Sequence, residues 1–391
     1  VTIGGVISAN KVLIFATNDL VTETRARKEA ATLAQAGYDV TLAGLGDGIL
    51  SDAEEFGRVK VRRIARTFAT SWRRPVEKLK AVRARAAALG ALVDELKPDI
   101  VHAVNADGLV AAAPHAKRAH ALLVYDAFEI FPEMLKGLGR PFLSWKYWEF
   151  AERHAIRQAD VALTVSMVRA RELHARLGIP FEVVHNVPPL VAPISTGRIR
   201  NETGIAADVP IVLYQGVLIA GRGLVRLVQA MADIPDAVLV VQGDGPERAK
   251  LEAAAVDAGV AERVVFMGML PESELHAYAC DADIGVVIYE ATDLNNQLAA
   301  PNKLFAYMMA GLPVAASDLP VLSAIVEDNN IGCTFDTLDT ASIAGSLRAL
   351  LADPLRQNKG ARARCLAEEC YNWDAESTIL LKLYASLVSR R

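Results

Sequence analysis

The sequence predicts an α/β protein built on doubly wound parallel sheets, and three observations carry that expectation. From Lys11 the chain reads VLIFATN, a helical stretch follows to Ala36 with Gly37 as its stop, and YDVTLAGLG makes a second strand. Strand, helix and strand in that order form a β-α-β unit, whose crossover leaves the strands parallel. The pattern returns between Asp283 and Ser317, where Ile284 to Ile288 is a β-branched run suited to a strand buried on both faces and Pro313 to Ala316 is the next. The third observation is length, since 391 residues exceed one comfortable core and predict two or three domains.

Taken in order, the first strand leads into a loop, Asp19 to Thr24, with no G-x-G-x-x-G, which argues against a dinucleotide dehydrogenase. Arg58 to Arg85 then carries eleven Lys and Arg residues against the single acid Glu77, with Phe68 and Trp72 among them. Such a stretch suits either an anionic membrane surface or a solvated helix face beside a linker. KPDIVHAVN and ALLVYDAFEIFP read as two more buried strands. Ligands of open α/β sheets gather at strand carboxyl ends, and those ends hold His102 and Asn105 in one case and Asp126, Phe128 and Glu129 in the other. Arg140 to Asp160, with Trp145, Tyr147 and Trp148, has the spacing of a helix whose aromatics face the core, with the lining of an acceptor groove as the other reading. ADVALTVS and GIPFEVVHNVPP close the first half, and the proline-rich Val187 to Pro210 is the expected linker.

A second domain starts at the strand Val209 to Tyr214. The glycine-rich turn Gln215 to Gly223 leads from it into a helix over Leu224 to Ala232. Glycines let backbone N–H groups approach an anion, and Arg222 at the helix entrance can offer a bidentate fork to a diphosphate. AVLVVQGDG and RVVFMGMLPESEL supply further strands and turns. In the stretch from Asp283, a polar loop leads to a helix that starts at Pro301 and stops at Gly311. Asn302 and Lys303 fall in its first turn. A lysine there opposes the helix dipole, and an anion held by both the lysine and the free backbone N–H groups explains the placement, although first-turn lysines also occur through solvation alone. The last strand begins within Gly332 to Asp336, and YNWDAESTILLKLYASL is a terminal amphipathic helix.

Bulk properties narrow the classes. Hydrophobic residues make up 52% of the chain, yet no apolar run approaches the roughly 18 residues of a membrane span. A net charge of −4 gives no electrostatic reason to bind nucleic acid. Cys280, Cys333, Cys365 and Cys370 show no C-x-x-C spacing and are expected as buried free thiols in a reducing, cytoplasmic setting. The opening VTIGGVISANK lacks the features of a signal peptide.

The segment PNKLFAYMMAGLPVAASD resembles the donor-sugar motif of the group 1 retaining glycosyltransferases of the GT-B fold, at Pro301, Asn302, Lys303, Leu304, Phe305, Tyr307, Gly311, Leu312 and Pro313. The resemblance extends over nearly the whole chain. NDLVTETRARKEAATLAQAGYDVTLAG is similar to the family's opening, with Arg25 and Glu29 at positions often filled alike but without the glycine pair many members use near the donor phosphate. YDAFEIFPE is similar to a family pattern close to YDSHELFPE.

This resemblance implies two Rossmann-like domains facing a cleft: residues 1–190 for the acceptor, residues 191–370 for a nucleotide-sugar donor, and a helix over 371–391 packing back on the first. It implies that Arg222 and Lys303 grip the departing diphosphate. Gly216, Gly221, Gly243, Met267, Gly268, Asn302, Leu304 and Ala306 would line the donor side, with the base near Met267 and Gly268. Asn105, Asp126, Phe128 and Glu129 would lie on the acceptor side, with His185 and Asn186 close to the cleft. No metal and no cofactor are implied beyond the nucleoside-diphosphate sugar. The acceptor would be a glycan or a lipid-linked molecule, in cell-surface polysaccharide or glycoconjugate synthesis, with residues 58–85 on the inner face of a membrane. Three positions depart from the pattern. Ala306 replaces the glutamate that hydrogen-bonds the ribose, Leu298 replaces its partner glutamate, and Phe128 replaces an active-site histidine. Val217 also stands where many members carry a second basic residue. These departures leave a scaffold or partner protein as the alternative to an active transferase.

Overall fold

Buried β-branched runs alternate with helices through most of the chain, so strands pair in parallel with a crossover between them. The structure is a computed structural model that describes residues 10–21, 23–46, 50–65 and 75–389. The chain divides into two units, residues 1–184 with 377–391 and residues 185–376, against the expected division at 190/191 and 370/371.

The first unit runs β1 (Lys11–Phe15), α1 (Thr24–Gln35), β2 (Asp39–Gly46), β3 (Ala53–Phe56), β4 (Val59–Ala65), α2 (Pro75–Leu96), β5 (Ile100–Val104), α3 (Asn105–Ala119), β6 (Leu122–Asp126), α4 (Phe131–Gly137), α5 (Phe142–Ala155), β7 (Val161–Thr164), α6 (Met167–Leu177) and β8 (Glu182–Val183). Its eight strands lie in the order β3-β4-β2-β1-β5-β6-β7-β8, parallel except for the edge hairpin β3–β4. The order reverses between β1 and β5, so the loops after those two strands frame a crevice at the carboxyl edge. The hairpin corrects the helix-face reading of the basic stretch only over Val59–Ala65, since from Pro75 the stretch is helix α2. Lys60 and Arg62 on β4 pair with Asp39 and Glu95, at 2.7 and 2.8 Å, and Arg63 pairs with Glu54 at 2.8 Å. Residues 66–74 of that stretch, Phe68 and Trp72 included, lie outside the described residues.

The second unit runs α7 (Arg198–Thr203), β9 (Ile211–Gln215), α8 (Leu224–Ala230), β10 (Val238–Gln242), α9 (Arg248–Asp257), β11 (Val264–Gly268), α10 (Glu272–Ala279), β12 (Ile284–Val287), α11 (Leu294–Gln297), α12 (Asn302–Met309), β13 (Val314–Ser317), α13 (Pro320–Val326), β14 (Gly332–Phe335), α14 (Thr340–Ala352) and α15 (Arg356–Glu369). The terminal helix α16 (Trp373–Val388) passes into the first unit from Ser377. The six parallel strands lie in the order β11-β10-β9-β12-β13-β14, reversing between β9 and β12. Helix α7 falls inside the expected linker, where the glycines at 197 and 204 cap it in left-handed conformation. Cys365 on α15 and Cys370 at its C-cap are exposed rather than buried, because that helix is polar on most sides and only its small residues Gly360, Ala363 and Ala367 face inward.

One interior cluster fixes α1, β5, β6 and α16 together. The Arg25 guanidinium reaches both oxygens of Asp126, at 2.6 and 3.0 Å, donates to the Val184 carbonyl at 2.8 Å and lies 3.2 Å from Glu29. His102 Nδ1 meets the Tyr384 hydroxyl at 2.7 Å, and its Nε2 is 3.6 Å from Glu29. All of these side chains are fully buried. Glu29, His102 and Asp126 bring ligand atoms within 4.8 Å of one another, the spacing of a metal site, but the cation of this cluster is Arg25, which takes both Asp126 oxygens.

Burial pushes Glu29 up to about 7, only partly offset by Arg25. Burial acts on Asp126 in the same sense, but Arg25 and His102 outweigh it and hold that carboxyl at about 2. A carboxyl with a raised value contributes stability below its unfolded value and loses it as pH climbs through the folded one. Glu29 is therefore expected to lower resistance to denaturant as pH rises between about 4.5 and about 7, by no more than about 1.4 kcal/mol per pH unit. The buried Glu152 is raised to about 7 as well and adds a slope of the same sign, so Glu29→Gln is expected to lessen the slope rather than abolish it; an unchanged slope in the variant would mean that Glu29 is already ionised in the folded protein.

Candidate functional site

The reversal between β9 and β12 places two loops side by side in the second unit. Gly216 ends β9 at φ 143° and Gly243 ends β10 at φ 153°. A Cβ on Gly243 would lie 1.9 Å from the Gly216 carbonyl oxygen, so only glycine allows these two turns to touch. The Gly216 N–H donates to the Gln242 carbonyl and the Gly243 N–H to the Gly268 carbonyl, at 2.9 and 2.8 Å. Three strand ends thus present a continuous strip of backbone. The Glu290 N–H donates to the Gly221 carbonyl at 2.9 Å and ties the loop after β9 to the loop after β12.

Onto this strip come two cations. Lys303, in the first turn of α12, puts its Nζ 3.8 Å from the centre of the Tyr214 ring, against Gly216, and 5.7 Å from that of Tyr289. Arg222 lies 4.0 Å above Tyr289. Among the described residues neither cation has a carboxylate partner, and neither donates a hydrogen bond. Burial first, and the Arg222 charge second, hold the Lys303 ammonium well below its usual value. Tyr289 is positioned from beneath, since its N–H donates to Ser317 Oγ at 2.9 Å and that hydroxyl accepts from Thr337 at 2.6 Å. Pro301 precedes α12 without any side-chain cap, which leaves its first N–H groups open to a ligand. Two partly buried like charges, glycine amides and an uncapped helix start together favour a polyanion.

The other donor-side residues divide. Gly221 and Gly268 adopt left-handed φ of 78° and 74°, and Met267 accepts from Gln242 Nε2 at 3.5 Å. Asn302 is exposed at the start of α12, and Ala306 follows one turn on from it, half-buried. Leu304 is corrected to a core residue, because the step from Lys303 to Leu304 turns its side chain to the fully buried face of α12. Tyr214 and Tyr289 were not singled out in the sequence; the signal available was an aromatic residue at the carboxyl end of each strand flanking the reversal.

In the first unit, Asp126 is corrected from an acceptor-side group to the buried partner of Arg25. Asn105 takes left-handed φ 57°, and its Oδ1 accepts the Glu129 N–H at 3.1 Å. Glu129 and Phe128 are half-buried, and the Phe128 carbonyl accepts from Arg169. His185 is held by Glu376 through Nδ1 at 2.7 Å, within the second unit. Sequence reading also passed over Asn18, which donates to Glu23 at 2.7 Å, and Thr17, which donates to the half-buried Asp107. These two pairs, with Asn105, occupy the crevice between β1 and β5.

Comparison with known proteins places this geometry. Two family profiles match in succession, Glycosyltransferase Family 4 over residues 22–193 and Glycosyl transferases group 1 over residues 195–365. A 2-deoxystreptamine glucosyltransferase of Streptomyces kanamyceticus is 30% identical over 52% of this chain and 54% of its own length. A D-inositol 3-phosphate glycosyltransferase of Xylanimonas cellulosilytica is 28% identical over 61% of this chain and 60% of its own. The chain thus spans about half to two thirds of the length of the curated relatives it matches. A sucrose-phosphate synthase from Thermosynechococcus elongatus superposes with a TM-score of 0.81 at 19% identity, covering 98% of this chain and 100% of that one. Anabaena HepE in complex with UDP-glucose superposes at 0.76 and 15% identity, covering 96% and 99%. At these identities the two structures speak for the fold.

An anion between the two cations raises the Lys303 value back toward that of an ordinary lysine. Binding of inorganic pyrophosphate is therefore expected to take up a proton, and its affinity to fall as pH rises from the depressed Lys303 value toward the ordinary lysine value of about 10.4. Calorimetry in two buffers of different ionisation enthalpy measures the uptake, which should vanish in Lys303→Met. Identical uptake in parent and variant would mean that the lysine does not change its protonation.

Proposed function

The chain belongs to the group 1 glycosyltransferases of the GT-B fold, and from that premise we propose that it moves a sugar from a nucleoside-diphosphate sugar to a hydroxyl of a glycan or lipid-linked acceptor, with retention at the anomeric carbon. The observation that carries the reading is the pair Arg222 and Lys303, held on Tyr289 and Tyr214 without a carboxylate partner at the switch point of the second sheet. The acceptor oxygen bonds to the anomeric carbon as the bond to the diphosphate oxygen breaks. The leaving diphosphate keeps the electron pair, and its oxygen takes the acceptor's proton, so no metal and no enzymic base enter. Arg222 and Lys303 stabilise the charge that develops on that oxygen, at no reorganisation cost because the fold already holds them there. The UDP-glucose bound by Anabaena HepE supports a donor of this class. Relatives named for 2-deoxystreptamine, inositol 3-phosphate and the lipopolysaccharide core support a polyhydroxylated acceptor. On this reading the protein works in the cytoplasm.

Ala306 and Phe128 each remove a polar contact, worth about 1–3 kcal/mol. That loss favours a donor read through backbone and phosphate more than through the ribose. Titration with a panel of nucleoside diphosphates and their sugar conjugates, without metal, is expected to give base-selective binding; silence across the panel would return the chain to the scaffold alternative. Arg222→Ala and Lys303→Ala are each expected to lower turnover by about 100- to 1000-fold, and normal turnover in either would remove the clamp. Ala306→Glu is expected to tighten nucleotide binding if the ribose passes this position, and an unchanged affinity would place the ribose elsewhere.

A further inference from the structure

Two carboxylates share the loop that packs against Arg222, and neither pairs with it. Glu290 follows Tyr289, whose ring carries Arg222, and its N–H donates to the carbonyl of Gly221, the residue before Arg222, at 2.9 Å. Asp293 stands three residues on. The loop is close against the glycine turn there, for a Cβ built on Gly221 would lie 3.7 Å from Thr292 Oγ1 and 3.8 Å from Asn296 Nδ2. Among the described residues neither carboxylate is an ion-pair partner of Arg222 or Lys303. The Lys303 ammonium feels burial and the Arg222 charge, with no carboxylate offsetting either.

Both carboxylates are occupied, in different ways. Asp293 caps α11: its Oδ1 accepts the Asn296 N–H, and its Oδ2 accepts from Thr292 Oγ1 and Asn296 Nδ2, each at 3.0 Å. Those donors belong to the loop, so the loop itself holds Asp293. Glu290 is held from outside. Its Oε1 accepts from Arg226 Nη1 of α8 at 2.6 Å, and among the described residues that is its one side-chain bond. The two side chains are 36% and 23% exposed, and an ion pair so open to water adds little to stability. What the pair decides is where the Glu290 charge sits.

We propose that Arg226 is a positioning residue for the transfer reaction, which holds the Glu290 carboxylate away from Arg222 and so keeps the clamp free for the donor diphosphate. The inference rests on the reading of Arg222 and Lys303 as that clamp. Without Arg226, Glu290 is a half-buried carboxylate with no partner, and an unpaired charge out of water turns to the next cation it can reach. Its backbone is fixed by the Gly221 bond, but its side chain is free to swing, and Arg222 lies on the ring of the residue before it. A pair between Arg222 and Glu290 would cancel one of the two charges that answer the diphosphate, which would then have to displace a carboxylate in order to bind. Asp293 needs no such guard, since its bonds are local. If Arg226 were only one more positive charge near the donor, it and Glu290 would act independently of each other.

The test is calorimetric titration of the full chain with inorganic pyrophosphate, for the parent, Arg226→Gln, Glu290→Gln, the double variant and Arg226→Lys. Arg226→Gln should weaken binding about tenfold, the scale of one charge pair at a partly buried site. Glu290→Gln should not weaken it, and added to Arg226→Gln it should bring the affinity back to within about threefold of the parent. The contact is a single N–O pair, so Arg226→Lys should keep it and bind as the parent does. Titration in two buffers of different ionisation enthalpy gives a second readout. Arg226→Gln should take up less proton than the parent, because a Glu290 already turned inward raises Lys303 before the anion arrives. Thermal unfolding of the variants should match the parent, since the pair is open to water. Parent-like affinity in Arg226→Gln would overturn the proposal, as would a double variant equal to the product of the two single changes, which would make the two side chains independent charges. Failure of the parent to bind pyrophosphate would remove the clamp itself, and this role with it.

Discussion

Two cations held against aromatic rings, with no carboxylate partner among the described residues, set what the second unit can do. A cation–π contact returns about 0.5–2 kcal/mol, less than a partly buried ammonium gives up when it leaves water beside another positive charge. The deficit appears directly in the depressed Lys303 value. Several features of the unit keep that deficit in place. The reversal of strand order brings the β9 and β12 loops together, Gly216 and Gly243 let two turns make contact, and Ser317 with Thr337 fixes the peptide of Tyr289. An anion that bridges the pair removes the repulsion and gains the charge-assisted bonds together.

The first unit solves a similar problem in the opposite way. Arg25 is 1% exposed, yet it gives two bonds to Asp126 and one to the Val184 carbonyl. A buried charge with its partners inside the chain has nothing left to offer a ligand, and it locks the elements that supply those partners. Tyr384 then closes the cluster over His102, which gives the terminal helix a specific polar anchor in the first unit. An arginine at a helix entrance is therefore structural in the first unit, where a carboxylate answers it, and left without such a partner among the described residues of the second. The difference is the carboxylate.

That difference decides how much could be read from the sequence. Local chemistry was legible. Pro301 and Gly311 bound α12 to within two residues, and the glycine turn before Arg222 sits where its spacing put it. The assignment of Asp126 failed because its partner lies 101 residues away, and nothing around either residue announces the other. Tyr214 and Tyr289 escaped notice for the same reason, since an aromatic residue ending a strand is unremarked until the sheet order makes two of them neighbours. Leu304 failed on a finer scale, because one residue along a helix is about a 100° turn. That step separates a lysine over the Tyr214 ring from a leucine in the core.

Helix α5 shows a further limit, because a period of apolar residues reports that a helix has two faces and not which of them meets solvent. The choice is made by the groups that must be satisfied. Glu152 bonds to the Tyr125 hydroxyl inside the unit, and Trp148 stacks edge-on against Phe131 at 5.1 Å. Those two contacts fix the roll of the helix and leave Leu143 and Phe150 outside. The arrangement is costly twice over. Burial raises Glu152 to about 7, and each large apolar side chain left in water forgoes about 1.5–3 kcal/mol of burial.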